Sequence, residues 1–122
     1  IENLIHLAET VLQPVREHFG KPVAISSGYR SPELCEAIGS SAKSQHAKGE
    51  AADFEIPGVD NMQLATWISK NTIFDQLILE YYEPGDPNSG WVHCSAVKEG
   101  PRAQVLKATK VEGKTKYENI LL

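Results

Sequence analysis

The sequence has little of what marks membrane-spanning, nucleic-acid-binding or secreted proteins. None of its apolar runs approaches the roughly 20 residues that a membrane-spanning helix needs. The formal net charge is −4, which gives no electrostatic basis for binding a nucleic acid or an anionic membrane. Ile1 opens directly into an amphipathic pattern, which differs from a signal peptide. We therefore expect no membrane span, no nucleic-acid partner and no signal peptide in this chain.

Cysteine is also scarce. The two cysteines, Cys35 and Cys94, do not form a C-x-x-C pair, and a disulfide framework needs more of them. Because free cysteines are usually buried, we expect two buried thiols. Cys94 adjoins His93, which raises the alternative of a catalytic thiol. Neighbouring side chains in a strand point to opposite faces, however, so this thiol should face away from the imidazole.

The 122 residues have the length and composition of one domain. The hydrophobic share of 41% is close to that of globular proteins, and the chain has no repeats, low-complexity runs or linkers. We expect residues 1–122 to form a single domain and the protein to be a monomer.

Hydrophobic periodicity predicts the helices and strands. Pro14 should kink or restart the first helix, and Gly20 should end it. Asp60 and Gln63 are spaced as a capping box at the start of a later helix. The predicted helices cover residues 2–19, 31–39 and 61–70, and the predicted strands cover residues 22–26, 51–56, 76–82, 91–97 and 104–111, with the tail pairing back on the last strand.

The central stretch, residues 44–53, holds His46 and Asp53 on either side of a glycine turn, and His93 follows downstream. Two His and one Asp can bind a single Zn²⁺ and leave its fourth position open for water. Water bound in this way has a pKa near about 7, so hydroxide is available at neutral pH. The sequence therefore predicts a small zinc hydrolase with these three ligands. The same residue types serve iron oxygenases, a chemistry that this spacing does not particularly support.

A catalytic base is expected on the strand that precedes His93. If the two strands form a symmetric hairpin, Glu80 lies opposite His93 and Tyr82 lies opposite Trp91. Alternation then places Tyr81 on the core face and Glu80 beside the metal, where it can act as general base. The alternative for Glu80 is a solvated carboxylate on an exposed strand face. Weaker candidates for the base are Glu50 and Glu55.

Four further residues are candidates for contacting the substrate. Arg30 has a planar fork that matches a carboxylate bidentately, although a surface arginine in a loop is the alternative. Ser44 can contact the substrate or hold its own loop by a local hydrogen bond. Trp91 and Tyr82 can form walls of the cleft, or the two can simply pair with each other across the hairpin.

These residues fall into a longer pattern. The pattern Ser44-x-His46-x-x-Gly49-x-Ala51-x-Asp53, followed by Trp91-Val92-His93, resembles the zinc D-alanyl-D-alanine carboxypeptidases, a family that includes related phage and bacterial peptidoglycan peptidases. Ser27-Gly28-Tyr29-Arg30-Ser31 looks like the family's arginine loop, and Arg102-Ala103-Gln104-Val105-Leu106 looks like its segment after the last ligand. The resemblance covers about residues 20–110.

The resemblance also assigns roles. It places the substrate-orienting arginine on Arg30. Many members of the family carry an acidic residue three positions before the last histidine, but here that position is Gly90, so the catalytic role passes to Glu80. The family's zinc ligands fall on His46, Asp53 and His93.

The implied fold is a small α+β domain of the Hedgehog and DD-peptidase type, with helices packed on a mostly antiparallel sheet that carries the zinc. The implied function is hydrolysis of peptidoglycan stem peptides by a zinc metallopeptidase with one Zn²⁺ ion, as a D-Ala-D-Ala carboxypeptidase or as a stem endopeptidase. The setting would be a bacterial or phage protein that acts on the cell wall. The alternative, motivated by Gly90, is a zinc-bearing binding or structural module without catalysis.

Overall fold

The computed structural model describes residues 2–28, 45–86 and 89–122. Within these ranges the helices are α1 (Glu2–Leu7), α2 (Gln13–Phe19) and α3 (Asn61–Asn71), and a π-helical segment, Ala8–Leu12, joins the first two. The strands are β1 (Ala24–Ser27), β2 (Ala51–Glu55), β3 (Gln76–Glu80), β4 (Trp91–Ser95), β5 (Gln104–Val111) and β6 (Lys114–Asn119). The predicted helix at residues 31–39 and the predicted buried Cys35 lie outside the described residues.

The N-terminal helical segment restarts at Pro14, as predicted. Proline has no N–H group, and its ring crowds the carbonyl four residues earlier. The backbone therefore widens into π-helical turns before it, with the N–H of Gln13 donating to the carbonyl of Ala8. Gly20 ends α2 in the left-handed conformation, with φ of 64°, and its N–H donates to Arg16. The sequence prediction for this segment is confirmed.

The six strands form one sheet in the order β1-β2-β4-β3-β5-β6. Neighbouring strands are antiparallel except for β3 and β5, which run parallel. The helices cover one face of this sheet, and the core lies between them. Burying each large side chain there contributes about 1.5–3 kcal/mol relative to leaving it exposed. Core residues include Val11, Val15, Phe54, Leu64, Ile68, Leu77 and Val92. The predicted α+β fold with a mostly antiparallel sheet is confirmed.

Strand β2 shows the alternation that its sequence predicts. Ala52 and Phe54 are buried in the core, whereas Asp53 is only partly buried and points to the opposite face. The alternation therefore directs the Asp53 carboxylate away from the helices.

Asp60 caps α3, because its side chain accepts a hydrogen bond from the backbone N–H of Met62.

The register of the β3–β4 hairpin differs from the prediction by two residues. Ile78 pairs with His93, and Glu80 pairs with Trp91. The predicted pairs, Glu80 with His93 and Tyr82 with Trp91, are therefore wrong. The reason is that β3 ends early, because Tyr81 adopts a left-handed backbone with φ of 55°. A shift of two residues preserves the faces of a strand, so Glu80 and His93 still share one face.

The same left-handed residue reverses the predicted faces of the two tyrosines. The Tyr81 ring packs against Trp91, with centroids 5.3 Å apart. Tyr82 packs against the core, and its hydroxyl donates to Asp60 at 3.2 Å. The prediction that Tyr82 forms a wall of the cleft is therefore wrong. Strict alternation holds only for extended backbone, which ends at Glu80.

Beyond β4 the chain returns to the sheet as a hairpin. Strand β5 has the predicted bounds, and the tail pairs back on it as β6, as predicted; the connection is a turn at Glu112 and Gly113. Leu106 lies opposite Asn119, and Ala108 lies opposite Tyr117.

Among the residues described, no helix is long and apolar enough to cross a membrane.

Cys94 is a free, buried thiol on the core side of β4. Burial raises the pKa of this thiol far above its ordinary value. A protonated, enclosed thiol is not a nucleophile, so the catalytic alternative for Cys94 is wrong and the prediction of a buried cysteine holds here.

Candidate metal centre

Three side chains converge on the face of the sheet opposite the helices. Asp53 on β2 pairs directly with His93 on β4, and His93 Nδ1 lies 2.9 Å from Asp53 Oδ1. His46 comes from the turn before β2, and its Nε2 lies 3.5 Å from the same oxygen. The ring centroids of the two imidazoles are 5.2 Å apart. One ligand atom from each residue lies within 4.8 Å of the other two.

This arrangement fits a small divalent metal ion. A tetrahedral zinc with bonds of about 2.0–2.1 Å sets its ligand atoms about 3.3 Å apart. The distances of 2.9 and 3.5 Å from Asp53 Oδ1 to the two imidazole nitrogens bracket that separation. Two imidazole nitrogens and one carboxylate oxygen are also a donor set that zinc accepts. His46, Asp53 and His93 therefore form a possible metal site.

His46 is held in an orientation that suits a metal ligand. Its Nδ1 lies 2.8 Å from the backbone carbonyl of Gly28. A carbonyl only accepts hydrogen bonds, so Nδ1 carries a proton, and Nε2, on the side of Asp53, is the nitrogen that can bind a metal. Such a second hydrogen bond orients histidine ligands in known metal sites.

The turn that presents His46 needs a glycine at position 49. Gly49 adopts a left-handed φ of 73°, and its N–H donates to the His46 carbonyl. A Cβ at this position would lie 3.1 Å from Leu4 Cγ on α1. The N–H of Glu50 closes the turn by donating to the carbonyl of Gln45. The glycine that the sequence places between the histidine and the aspartate thus allows the turn to pack beneath α1.

Asp53 is the electrostatic centre of the cluster. Burial alone would raise its pKa, but hydrogen bonds from His46 and His93, together with their positive charge, hold the pKa of Asp53 well below its ordinary value. The carboxylate is therefore charged across the neutral range.

Glu80 lies on the same face, on the strand next to His93. Burial raises the pKa of Glu80 above its ordinary value; the neighbouring His93 opposes this rise, and the charge of Asp53 adds to it. The carboxylate is therefore more basic than that of an exposed glutamate.

Trp91 stands directly opposite Glu80. Its indole N–H is buried and has no hydrogen-bond partner within the described ranges. The indole beside Glu80 favours the charged carboxylate and so opposes part of the rise in the pKa of Glu80. Trp91 also lines the cleft, where the sequence expects it, while its ring packs against Tyr81.

The cluster opens into a cleft of about 680 Å³. Asp53, His46 and His93 line it together with Glu80 and Trp91. Sequence reasoning missed five other lining residues: Gln45, Gln76, Ile78, Leu106 and Tyr117. The last two come from β5 and β6, which reach the cleft only because β5 pairs with β3. No local pattern signals that parallel pairing.

Two other predicted site residues, Arg30 and Ser44, lie outside the described residues. Of the weaker candidates for the base, Glu55 accepts a hydrogen bond from Asn61 and does not line the cleft. The remaining histidines are engaged elsewhere. His6 Nε2 lies 3.2 Å from the carbonyl of Val97, and His18 stacks on Trp67.

The chain was compared with protein-family models and with curated proteins. The family model described as Peptidase M15 matches residues 2–95. This segment holds most of the chain, including the three clustered residues and Glu80, and it ends at the last residue of β4. The search of curated proteins found no match.

Proposed function

Because the chain belongs to the peptidase M15 family, we propose that it is a zinc metallopeptidase that hydrolyses peptide bonds in the stem peptides of peptidoglycan. The family supports a peptidase, and the possible metal site supports a metal-dependent one. The observation that carries the proposal is the convergence of His46, Asp53 and His93 in an open cleft. Peptidoglycan as the substrate rests on the resemblance in the sequence.

The three clustered residues would hold one zinc ion and leave a position for water. When bound, zinc lowers the pKa of a water ligand and polarises the scissile carbonyl. Asp53 is charged and lies against both imidazoles, so its carboxylate would balance part of the charge of a bound ion. The hydrogen bond to Gly28 fixes the orientation in which His46 would hold that ion.

Glu80 is the proposed general base. Its carboxylate takes a proton from the attacking water and then gives that proton to the nitrogen of the leaving amine. Burial raises the pKa of Glu80, which strengthens it as a proton acceptor. The neighbouring Trp91 indole opposes part of that rise in pKa.

Substrate binding is assigned to Arg30, Ser44 and Trp91. Arg30 would hold a substrate carboxylate bidentately, Ser44 would contact the substrate beside the metal loop, and Trp91 forms one wall of the cleft. Stem peptides carry a carboxylate at the terminal D-Ala and others along the chain. The proposal therefore includes both carboxypeptidase and endopeptidase action. In either case the protein would act on the bacterial cell wall.

The test is digestion of purified peptidoglycan followed by mass spectrometry of the muropeptides. Zinc-loaded protein, chelated protein and Glu80→Ala are compared, with Glu83→Ala as an exposed glutamate control outside the cleft. Only the zinc-loaded wild type and the control should release product. Loss of one alanine identifies a carboxypeptidase, and two stem fragments identify an endopeptidase. No chelator-sensitive product on any wall type would contradict the proposal.

A second candidate function is a metal-bearing module without catalysis. Gly90 favours it, because the acidic residue that the resemblance expects three positions before His93 is absent. Against it, Glu80 lines the same cleft from the neighbouring strand. Tight zinc binding with no turnover of any stem peptide would favour this second candidate.

A further inference from the structure

Asp75, the residue before β3, is buried yet fully hydrogen-bonded. Its Oδ1 accepts from the backbone N–H of Arg102 at 2.9 Å and from Arg102 Nε at 3.0 Å. Its Oδ2 accepts from Arg102 Nη2 at 2.8 Å and from Gln45 Nε2 at 2.9 Å. The hydroxyl of Ser95 lies 3.5 Å from the same oxygen. A buried carboxylate with this many donors is held in one orientation.

The backbone of Asp75 is tied as well. Its N–H donates to the carbonyl of Ser95, and its carbonyl accepts from the N–H of Gln104. These bonds join the start of β3 to the end of β4 and to the start of β5. Asp75 therefore sits where three strands meet, and its partner Gln45 lines the cleft of the candidate metal centre.

Two of these contacts lead to the candidate metal centre. Gln45 directly precedes His46, and its carbonyl closes the turn by accepting from Glu50. Ser95 follows His93 by two residues on β4. Through Asp75, the side chain of Gln45 thus connects the turn that carries His46 with the strand that carries His93.

We propose that Asp75 is a positioning residue of the metal centre. It holds Gln45, and through Gln45 the turn that presents His46, while the fork of Arg102 fixes the carboxylate itself. If Asp75 contributed only to stability, its ion pair with Arg102 would be sufficient. The Asp75 carboxylate also accepts a hydrogen bond from Gln45, the residue next to His46. This inference rests on the proposed metal site.

Gln45→Leu is the variant that separates positioning from stability. It keeps the approximate size of the side chain, removes the bond to Asp75 and leaves the Arg102 pair in place. Loss of a partner behind a metal ligand typically lowers metal affinity about 10- to 100-fold. We expect a loss of that size in zinc affinity, with little change in the thermal unfolding of the metal-free protein.

The control is Gln104→Leu. It removes a side-chain hydrogen bond of the same kind, from Gln76 Nε2 to Gln104 Oε1 at 2.9 Å, close to Asp75 but without contact to Gln45. Gln104 does not line the cleft. We expect its zinc affinity to equal that of the wild type. Arg102→Lys, which keeps the charge but loses the fork, should show a smaller loss of zinc affinity than Gln45→Leu.

The measurements are zinc dissociation constants from competition with a chromophoric chelator, the absorption spectrum of the Co²⁺-substituted protein, and unfolding of the metal-free protein. The positioning role would be supported if Gln45→Leu showed weaker zinc binding and an altered Co²⁺ spectrum and Gln104→Leu showed neither. Unchanged affinity in Gln45→Leu, or an equal loss in Gln104→Leu, would overturn it. A wild-type protein that binds no zinc would instead overturn the proposed function, and this role with it.

Discussion

Gly90 lies so close to Glu80 that a side chain at position 90 would collide with the backbone carbonyl oxygen of Glu80. Gly90 also adopts a left-handed φ of 64°, and an added Cβ would lie 2.8 Å from the carbonyl carbon of Tyr81. The position where the resemblance expects an acidic residue is therefore closed to any side chain here. The backbone at Gly90 instead packs against the end of the strand that carries Glu80.

This contact predicts a large loss of stability in Gly90→Ala. Gly20 is a matched control, because it has the same φ of 64° and nothing within 4 Å of an added Cβ. Gly20→Ala should cost only the left-handed penalty of about 1–2 kcal/mol. Gly90→Ala should cost at least about 2 kcal/mol more, because the clash is with backbone. Urea unfolding of both variants measures the difference, and equal losses would contradict the predicted clash.

Metal binding should raise thermal stability. A ligand at 100 times its dissociation constant stabilises a folded protein by about 2.7 kcal/mol if it binds only that state. We expect the melting temperature to rise with zinc and to fall with a chelator, and His93→Ala to abolish the difference. His18→Ala should retain it, because His18 stacks on Trp67 away from the cleft. A zinc-dependent rise that survives in His93→Ala would point to another site.

Glu80→Gln should lower turnover strongly without removing the metal. The amide keeps the size of the side chain but cannot accept the proton, and a general base typically contributes 10²- to 10⁴-fold to the rate. We expect kcat to fall by about that factor while the zinc content stays unchanged. Steady-state kinetics with elemental analysis tests this, and Glu83→Gln serves as the control. A variant that keeps wild-type kcat would assign the base elsewhere.

Tyr117 should influence substrate binding more than chemistry. Through the strand register it lies opposite Ala108, which in turn pairs with Glu80, so the three share one row across the sheet. Its side chain lines the cleft from β6. We expect Tyr117→Ala to raise KM several-fold with kcat little changed, and Tyr117→Phe to stay close to the wild type. A fall in kcat at constant KM would instead place Tyr117 in the chemical step.

Asp75 should make stability depend on pH in the acid range. Hydrogen bonds from Arg102, which outweigh the opposing effect of burial, hold the pKa of Asp75 well below its ordinary value. Because the folded pKa is lower than the unfolded value of about 3.9, this stabilisation is present above that pH and is lost as pH falls toward the folded pKa. Asp75→Asn should be less stable at pH 7 by about 1–3 kcal/mol and should lose less on acidification.

The measurement is urea unfolding of both proteins between neutral and acid pH. Glu118→Gln is the control, since the carboxylate of Glu118 is paired with Lys116 in solvent. Solvent screening weakens such pairs, so its pH dependence should match that of the wild type. Parallel curves for the wild type and Asp75→Asn would show that the Arg102 pair contributes nothing to the acid sensitivity.

Local patterns predicted most of the elements correctly. The restart at Pro14, the end of the helix at Gly20 and the Asp60 cap each depend on the backbone chemistry of one or two residues. The alternation around Asp53 likewise needs only the period of an extended strand. These features follow from neighbours in the chain, which is why the sequence reveals them.

The β3–β4 hairpin shows what local sequence patterns do not predict. A symmetric hairpin predicts Glu80 opposite His93, but the left-handed backbone of Tyr81 ends the strand early, and the register differs by two residues. The alternation of residues along the strand predicts neither the register nor the exchanged faces of Tyr81 and Tyr82. The close approach of Gly90 to Glu80 is a property of the folded connection.

The sequence by itself determined most of the element types and the residue chemistry of His46, Asp53 and His93, because these depend on local periodicity and on the donor atoms of individual side chains. The fold class followed from the family resemblance of the sequence motifs. Tertiary structure alone decided that β5 pairs in parallel with β3, which brings Tyr117 to the cleft. It also decided that Asp75 joins Gln45 to Arg102. Both depend on contacts between residues about 30 or more positions apart, and only the folded backbone brings such residues within hydrogen-bonding distance.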